Sequence, residues 1–130
     1  MSWAPMARTL TLAAAHDQEG ARTALGEALR SIEGFASRPR DATLITAAVV
    51  ALEIGDCERA SRLLAAATAF DRRPERTFFI RSQWGFALYR HYLPIVRASL
   101  GPDVARRCRA EGAAMSLSEA MAHAWELTTV

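Results

Sequence analysis

The chain has no lysine: all sixteen of its basic residues are arginine. That bias fits a GC-rich coding sequence, since arginine is special only where its planar fork is used. Cysteine is almost as scarce. Cys57 and Cys108 form no CxxC pair and have no histidine pair nearby, which excludes a disulfide framework and a zinc finger and leaves two idle thiols in a reducing compartment. No apolar run is long enough to span a bilayer, and Arg8 splits the short apolar stretch between Met1 and His16, so neither a signal peptide nor a membrane span is expected. The cytoplasm is the expected location. Strand-like alternation and Asn-Gly hairpin turns are missing too, which excludes a β fold. So are a GxxxxGK[ST] loop and a GxSxG elbow, while Gly20 and Gly112 are too isolated to cradle a phosphate. Net charge is only +2, with 23% charged and 51% hydrophobic residues, the balance of a folded globule rather than a disordered or strongly nucleic-acid-binding chain.

What is present is helical periodicity. Leu44, Ala47, Ala48, Ala51 and Leu52 recur at i, i+3, i+4, i+7 and i+8; beyond the turn Gly55-Asp56, Ala60, Leu63, Leu64 and Ala67 repeat the spacing. Each helix should bury that one face against the other in a short-turned antiparallel hairpin. Upstream, Met6 to Ala15 and Glu19 to Phe35 form a second hairpin, with Asp17 as N-cap and Ala21, Ala24, Leu25, Ala28, Leu29 and Ile32 on one face. Aligning Asp17 with Asp56 also aligns Glu19 with Glu58, Ala21 with Ala60, Leu25 with Leu64 and Ala28 with Ala67. The offset is 39 residues, within the range of helical repeats. Ser37 to Asp41, with Pro39, reads as the loop between the copies.

The next segment is different in kind. A charged loop, Asp71 to Arg76, leads into Thr77 to Tyr92, which holds Phe78, Phe79, Trp84, Phe86, Tyr89 and Tyr92. Tyr89, Tyr92, Leu93, Val96 and Leu100 keep helical spacing across Pro94, where a kink or a restarted helix is expected. Gly101-Pro102 should end this helix and Asp103 should cap the next, which runs to about Glu111. Ser116 and Glu119 then make a capping box for a last helix with Leu117, Ala120, Met121 and Ala124 on its apolar face.

Three stretches, Gly55 to Phe70, Tyr92 to Gly101 and Arg109 to Ala124, resemble in order and spacing the C-terminal tetratricopeptide-like segment of bacterial transcriptional regulators. Those regulators join an ATPase module to helical repeats and often to a LuxR-type DNA-binding domain. The matching residues are the hairpin helix opening at Gly55 and Asp56; Arg97, Leu100 and Gly101; and Glu111, Gly112, Met115, Ser116, Leu117, Glu119 and Ala120. The resemblance covers about residues 41 to 125. It implies an all-α fold of antiparallel helical hairpins, a tetratricopeptide-like right-handed array of about five to seven helices, acting as the interaction or sensing part of a regulator. Neither the ATPase loop nor a helix-turn-helix with a basic recognition helix can be read in this chain. The aromatic, arginine-flanked stretch from Thr77 to Phe86 also departs from the Gly/Pro-rich loop of that family.

One helical-repeat domain over residues 1–130 is therefore expected: hairpin 1 at about 6–36, hairpin 2 at about 41–70, and C-terminal helices at about 77–127. Its function would be non-catalytic protein–protein interaction or regulation. The candidate surface is Arg76, Phe78, Phe79, Arg81, Trp84, Tyr89 and Tyr92, facing a protein partner or a second copy in a homodimer, because aromatics and arginine are enriched at interfaces. The same aromatics could instead be core. An effector-sensing domain, with a pocket between the second hairpin and the Tyr89 to Leu100 helix, is the alternative. A small enzyme using His91 or a tyrosine is a weaker one, since His16, His91 and His123 are scattered and the carboxylates Glu53, Asp56 and Glu58 cluster only at a turn. No cofactor, metal, direct nucleic-acid partner or membrane is expected.

Overall fold

The structure is a computed structural model that describes residues 4–32, 40–71 and 83–128. The described residues form seven α-helices and no strand: α1 (Ala4–Ala14), α2 (Gln18–Ile32), α3 (Arg40–Glu53), α4 (Cys57–Asp71), α5 (Gln83–Leu100), α6 (Pro102–Ala114) and α7 (Leu117–Glu126). None of these helices is long and apolar enough to cross a membrane.

The 39-residue period governs the first four helices down to single hydrogen bonds. Adding 39 to the bounds of α2 gives the bounds of α4. At the first corner, the N–H of His16 bonds to the carbonyl of Ala13 and that of Asp17 to Leu12; at the second, Gly55 bonds to Leu52 and Asp56 to Ala51. Both are paired C-terminal closures that satisfy carbonyls a helix end would leave open, and both need a left-handed residue. Gly55 takes that conformation at φ 88°, His16 at φ 62°. Each corner then passes to an aspartate cap: Asp17 Oδ1 accepts from the N–H of Gly20 at 2.9 Å, and Asp56 Oδ1 from that of Arg59 at 3.2 Å. His16 Nδ1 lies 2.9 Å from Glu53 Oε1, and the Gln18 amide donates to the Glu53 carbonyl at 3.2 Å, so the first corner is tied to the end of α3.

Helix α3 is the centre of the molecule. It packs against α1, α2, α4, α5 and α7. The one-faced burial read from its spacing is corrected here: every residue from Ala42 to Ala51 is buried, on all sides of the helix. A helix that is apolar all round belongs inside, and the run Ala-Thr-Leu-Ile-Thr-Ala-Ala-Val-Val-Ala offers water nothing but two hydroxyls. Thr46 returns its hydroxyl to the Ala42 carbonyl at 2.9 Å, and Thr43 sets its own 3.7 Å from the Met6 sulfur. Around it Leu25, Leu29, Leu44, Ile45, Leu63 and Leu64 are fully buried, each stabilising the fold by about 1.5–3 kcal/mol relative to an exposed position.

Further along, the structure corrects three readings of the sequence. Helix α5 runs unbroken from Gln83 to Leu100 with Pro94 inside it, so no helix restarts there. Val96 is buried, and Tyr89, Tyr92, Leu93 and Leu100 pack half-buried on the core, an apolar seam that holds the helix together across the N–H that Pro94 cannot donate. Helix α6 is capped by Gly101 (φ 81°) with Pro102 in its first position, so Asp103 sits inside the first turn, 3.4 Å from Arg106, instead of capping. It also continues to Ala114, beyond Glu111. The capping box of α7 is formed on both sides: the Ser116 hydroxyl accepts from the N–H of Glu119 at 3.1 Å, and Glu119 Oε1 accepts from the N–H of Ser116 at 2.9 Å.

Helix α6 lies against α4 at close range. A β-carbon on Gly112 would overlap the Arg62 carbonyl oxygen and stand 2.8 Å from Arg62 Cα and 2.9 Å from Ala65 Cβ. Beside this crossing, Glu58 accepts from Arg62 (3.3 Å) and Arg107 (2.9 Å), and Glu111 accepts from Arg62 (3.1 Å). Helix α7 turns back onto α3 and α4, burying Ala120 and Ala124 with Leu127 just beyond it; Glu126 meets Arg59 at 2.9 Å.

Candidate functional site

The hairpin of α5 and α6 places its arginines by elimination. Helix α5 spends its apolar seam on the core, and α6 buries only Cys108 and Gly112. The rest of α6 is left for solvent or for a partner. Pro102, Ala105, Arg106, Arg109 and Ala113, at i, i+3, i+4, i+7 and i+11, make one stripe along it. With Arg97 and Ala98 of α5, the first four of these line an open cleft of about 520 Å³. A second cavity of about 260 Å³ lies between α4, α5 and α6, lined by Ala65, Thr68, Ala69, Tyr89, Arg109 and Ala113. Arg109 lines both, so the two form neighbouring parts of one face.

The charge on this face differs from that around the α4–α6 crossing. Elsewhere, Arg8 pairs with Glu27, Arg59 with Asp56 and Glu126, Arg62 with Glu58 and Glu111, and Arg107 with Glu58. Glu58 holds the Arg107 guanidinium above its ordinary pKa, the mark of a cation already provided with an anion. In the cleft, among the described residues, no carboxylate lies within ion-pair distance of Arg97 or Arg109. Arg106 has only Asp103, in a pair whose side chains are 74% and 93% exposed. Such an exposed pair contributes little and exchanges readily for another anion. The lining therefore offers guanidinium forks over a floor of Ala98, Pro102 and Ala105, with the Tyr89 and Thr68 hydroxyls next door. Among the described residues, no histidine, cysteine or carboxylate lines either cavity. The lining groups can recognise an anion and make apolar contact, and the two hydroxyls can hydrogen-bond a ligand.

Of the surface residues expected from sequence, Arg76, Phe78, Phe79 and Arg81 lie outside the described residues. Trp84 belongs to α5, but its side chain falls outside them as well. Tyr89 and Tyr92 both pack half-buried on the core, and Tyr89 also lines the smaller cavity. The exposed His91 ring stands edge-on to Tyr92, centroids 4.8 Å apart and planes at 89°. Tyr89 shares the smaller cavity with Arg109; Arg106 and Arg109 themselves were not singled out in the sequence reading. Their signal was the 102, 105, 106, 109, 113 spacing, hidden because α6 has too little apolar character to look like an organised face.

No protein-family model, no curated protein and no solved structure matches the chain.

Proposed function

We propose that the chain is a non-catalytic interaction domain, a tetratricopeptide-like array of helical hairpins that resembles the C-terminal repeat region of ATPase/LuxR-type bacterial transcriptional regulators and works in the cytoplasm. The observation that carries this reading is the cleft between α5 and α6, open and arginine-lined, with no carboxylate, histidine or thiol among its described lining residues. The repeat supports it: two corners match bond for bond at a 39-residue offset. Each later hairpin also lies on the one before, α3 against α1 and α2, α5 against α3 and α4, the nearest-neighbour stacking of helical arrays. The stretch at Glu111, Gly112, Ser116 and Glu119, which underlies the resemblance, has structural work to do. Gly112 admits the α4 backbone, Glu111 meets Arg62, and Ser116 with Glu119 starts α7. Helix α7 then lies across α3 and α4, so that face is filled by the chain itself and a partner is left with α5 and α6.

Affinity capture with the intact protein, compared with Ala105→Trp and with Thr23→Trp on the exposed face of α2, tests this. The interaction reading predicts a binding protein lost with Ala105→Trp and kept with Thr23→Trp. If no recovered protein distinguishes the two variants, the reading fails. Light scattering beside it separates a foreign partner from a second copy, which would double the mass and return to monomer with Ala105→Trp.

One observation favours the effector-sensing alternative. The 260 Å³ cavity lies between α4 of the second hairpin and the Tyr89 end of α5, where that reading places its pocket. Ligand sites usually start near 300 Å³, so any effector would be small.

A further inference from the structure

We propose that the α5–α6 cleft receives an acidic, amphipathic segment of a partner protein, its carboxylates on Arg97, Arg106 and Arg109 and its small apolar face on Ala98, Pro102 and Ala105. This rests on the interaction-domain reading and names the chemistry of the partner. Charge complementarity carries it: Arg97 and Arg109 have no carboxylate among the described residues, and Arg106 holds only the exposed Asp103. Guanidinium forks pair with carboxylates through two parallel hydrogen bonds, which fixes orientation as well as attraction.

The arrangement also separates a peptide from a compact phosphate. Arg106 and Arg109 are one turn apart on α6, with β-carbons about 5–6 Å from each other, while Arg97 stands across the groove on α5, whose axis in packed helices is about 8–10 Å away. Cations spaced along and across a groove match carboxylates on successive turns of a helix rather than one phosphate. The start of α6 is a poorer phosphate cradle than most, because Pro102 holds the first helical position and has no N–H to give and Asp103 follows it. Ala98, Pro102 and Ala105 make a shallow apolar floor on which leucine or methionine side chains can lie.

The probe is a fluorescein-labelled helical peptide of about twenty residues with glutamate along one face and leucine and alanine on the other, read by anisotropy against the intact protein. The glutamate-to-glutamine version, a single-stranded oligothymidylate and inorganic tripolyphosphate are the comparators. The proposal predicts binding that weakens as salt rises. It also predicts about tenfold weaker binding to Arg97→Glu/Arg109→Glu, and a similar loss with the glutamine peptide. Both arginines are exposed, so circular dichroism and the melting temperature should show the double variant folded. Equal binding of both peptides, indifferent to the arginine reversals, overturns the acidic partner and leaves the interaction domain standing. Tighter, arginine-dependent binding of oligothymidylate or tripolyphosphate overturns it in favour of a phosphate ligand. No peptide binding up to about 1 mM overturns it as well. The Ala105→Trp capture comparison, which does not depend on charge, then decides whether the interaction reading falls too.

Discussion

Glycines at three positions of this chain do three different things, and single substitutions separate them. At Gly112 the α4 backbone occupies the space a β-carbon needs, and its neighbours there, the Arg62 carbonyl oxygen and Cα and the Ala65 Cβ, cannot swing away. Gly112→Ala should lower stability by about 1–3 kcal/mol, although alanine is the better helix former by about 1 kcal/mol. Gly26, also inside a helix, would place its β-carbon 3.4 Å from the flexible end of Arg30, so Gly26→Ala should raise stability by about 0.5–1 kcal/mol. Gly55 has open space around it but φ 88°, so Gly55→Ala should cost about 1 kcal/mol through the backbone alone. Urea denaturation of the three variants reads all three signs. A stabilising Gly112→Ala would mean that α4 and α6 do not approach as described. Of these roles, only the Gly55 turn was legible in the sequence. Gly112 and Gly26 are both lone glycines in helical stretches, and what separates them is that α4, distant in the chain, crowds Gly112, whereas Gly26 meets only Arg30 one turn on and the end of the Thr128 side chain.

At the scale of the element, the last helix depends on its cap. Hydrogen bonds from Ser116, the backbone N–H first and the hydroxyl contact second, hold the Glu119 carboxyl below its ordinary value of 4.5. A carboxyl with a lowered pKa in the folded state favours folding when ionised. Its contribution is complete above the unfolded value and is lost as pH falls through the lower folded one. Thermal melts of the parent and Glu119→Gln should therefore differ at pH 7 and converge on acidification below about 4. A difference that persists at the acid end would rule out the carboxylate as its source. The cap could be read from Ser116 and Glu119 because its partners are three residues apart. The same locality made the Asp17 and Asp56 caps and the stripes of α2 and α4 legible. Pro94 left a kink or a restarted helix open, and the structure removes the restart. Local preference argues for a break, but the seam of Tyr89, Tyr92, Leu93, Val96 and Leu100 is held by the core, which no window of sequence around the proline contains.

Across the whole molecule, the period of 39 is the feature that sequence and structure share most closely, since each corner is a local event repeated. The burial of α3 on every side is not local. Leu44, Ala47, Ala48 and Ala51 mark one stripe, yet Thr43, Ile45, Thr46 and Val49 are buried as well, because α1, α2, α4, α5 and α7 all pack on this helix. The candidate site was legible only in part, for the same reason. Arg97 entered the sequence reading through the stretch it shares with Leu100 and Gly101, and Arg106 and Arg109 matter because α6 leaves much of its polar side open beside α5. The distribution of ion pairs over the molecule completes the picture. Carboxylates answer the arginines of α4 and Arg107 at the α4–α6 crossing, while among the described residues none answers Arg97 or Arg109 in the cleft.

The most direct test of docking in the cleft is an amide chemical-shift map of the ¹⁵N-labelled chain titrated with the glutamate-faced peptide. The groove account predicts saturable shifts concentrated at Arg97, Ala98, Ala105, Arg106 and Arg109, with α1 and α2 unmoved. Shifts centred on α1 and α2, or spread evenly without saturation, would contradict it.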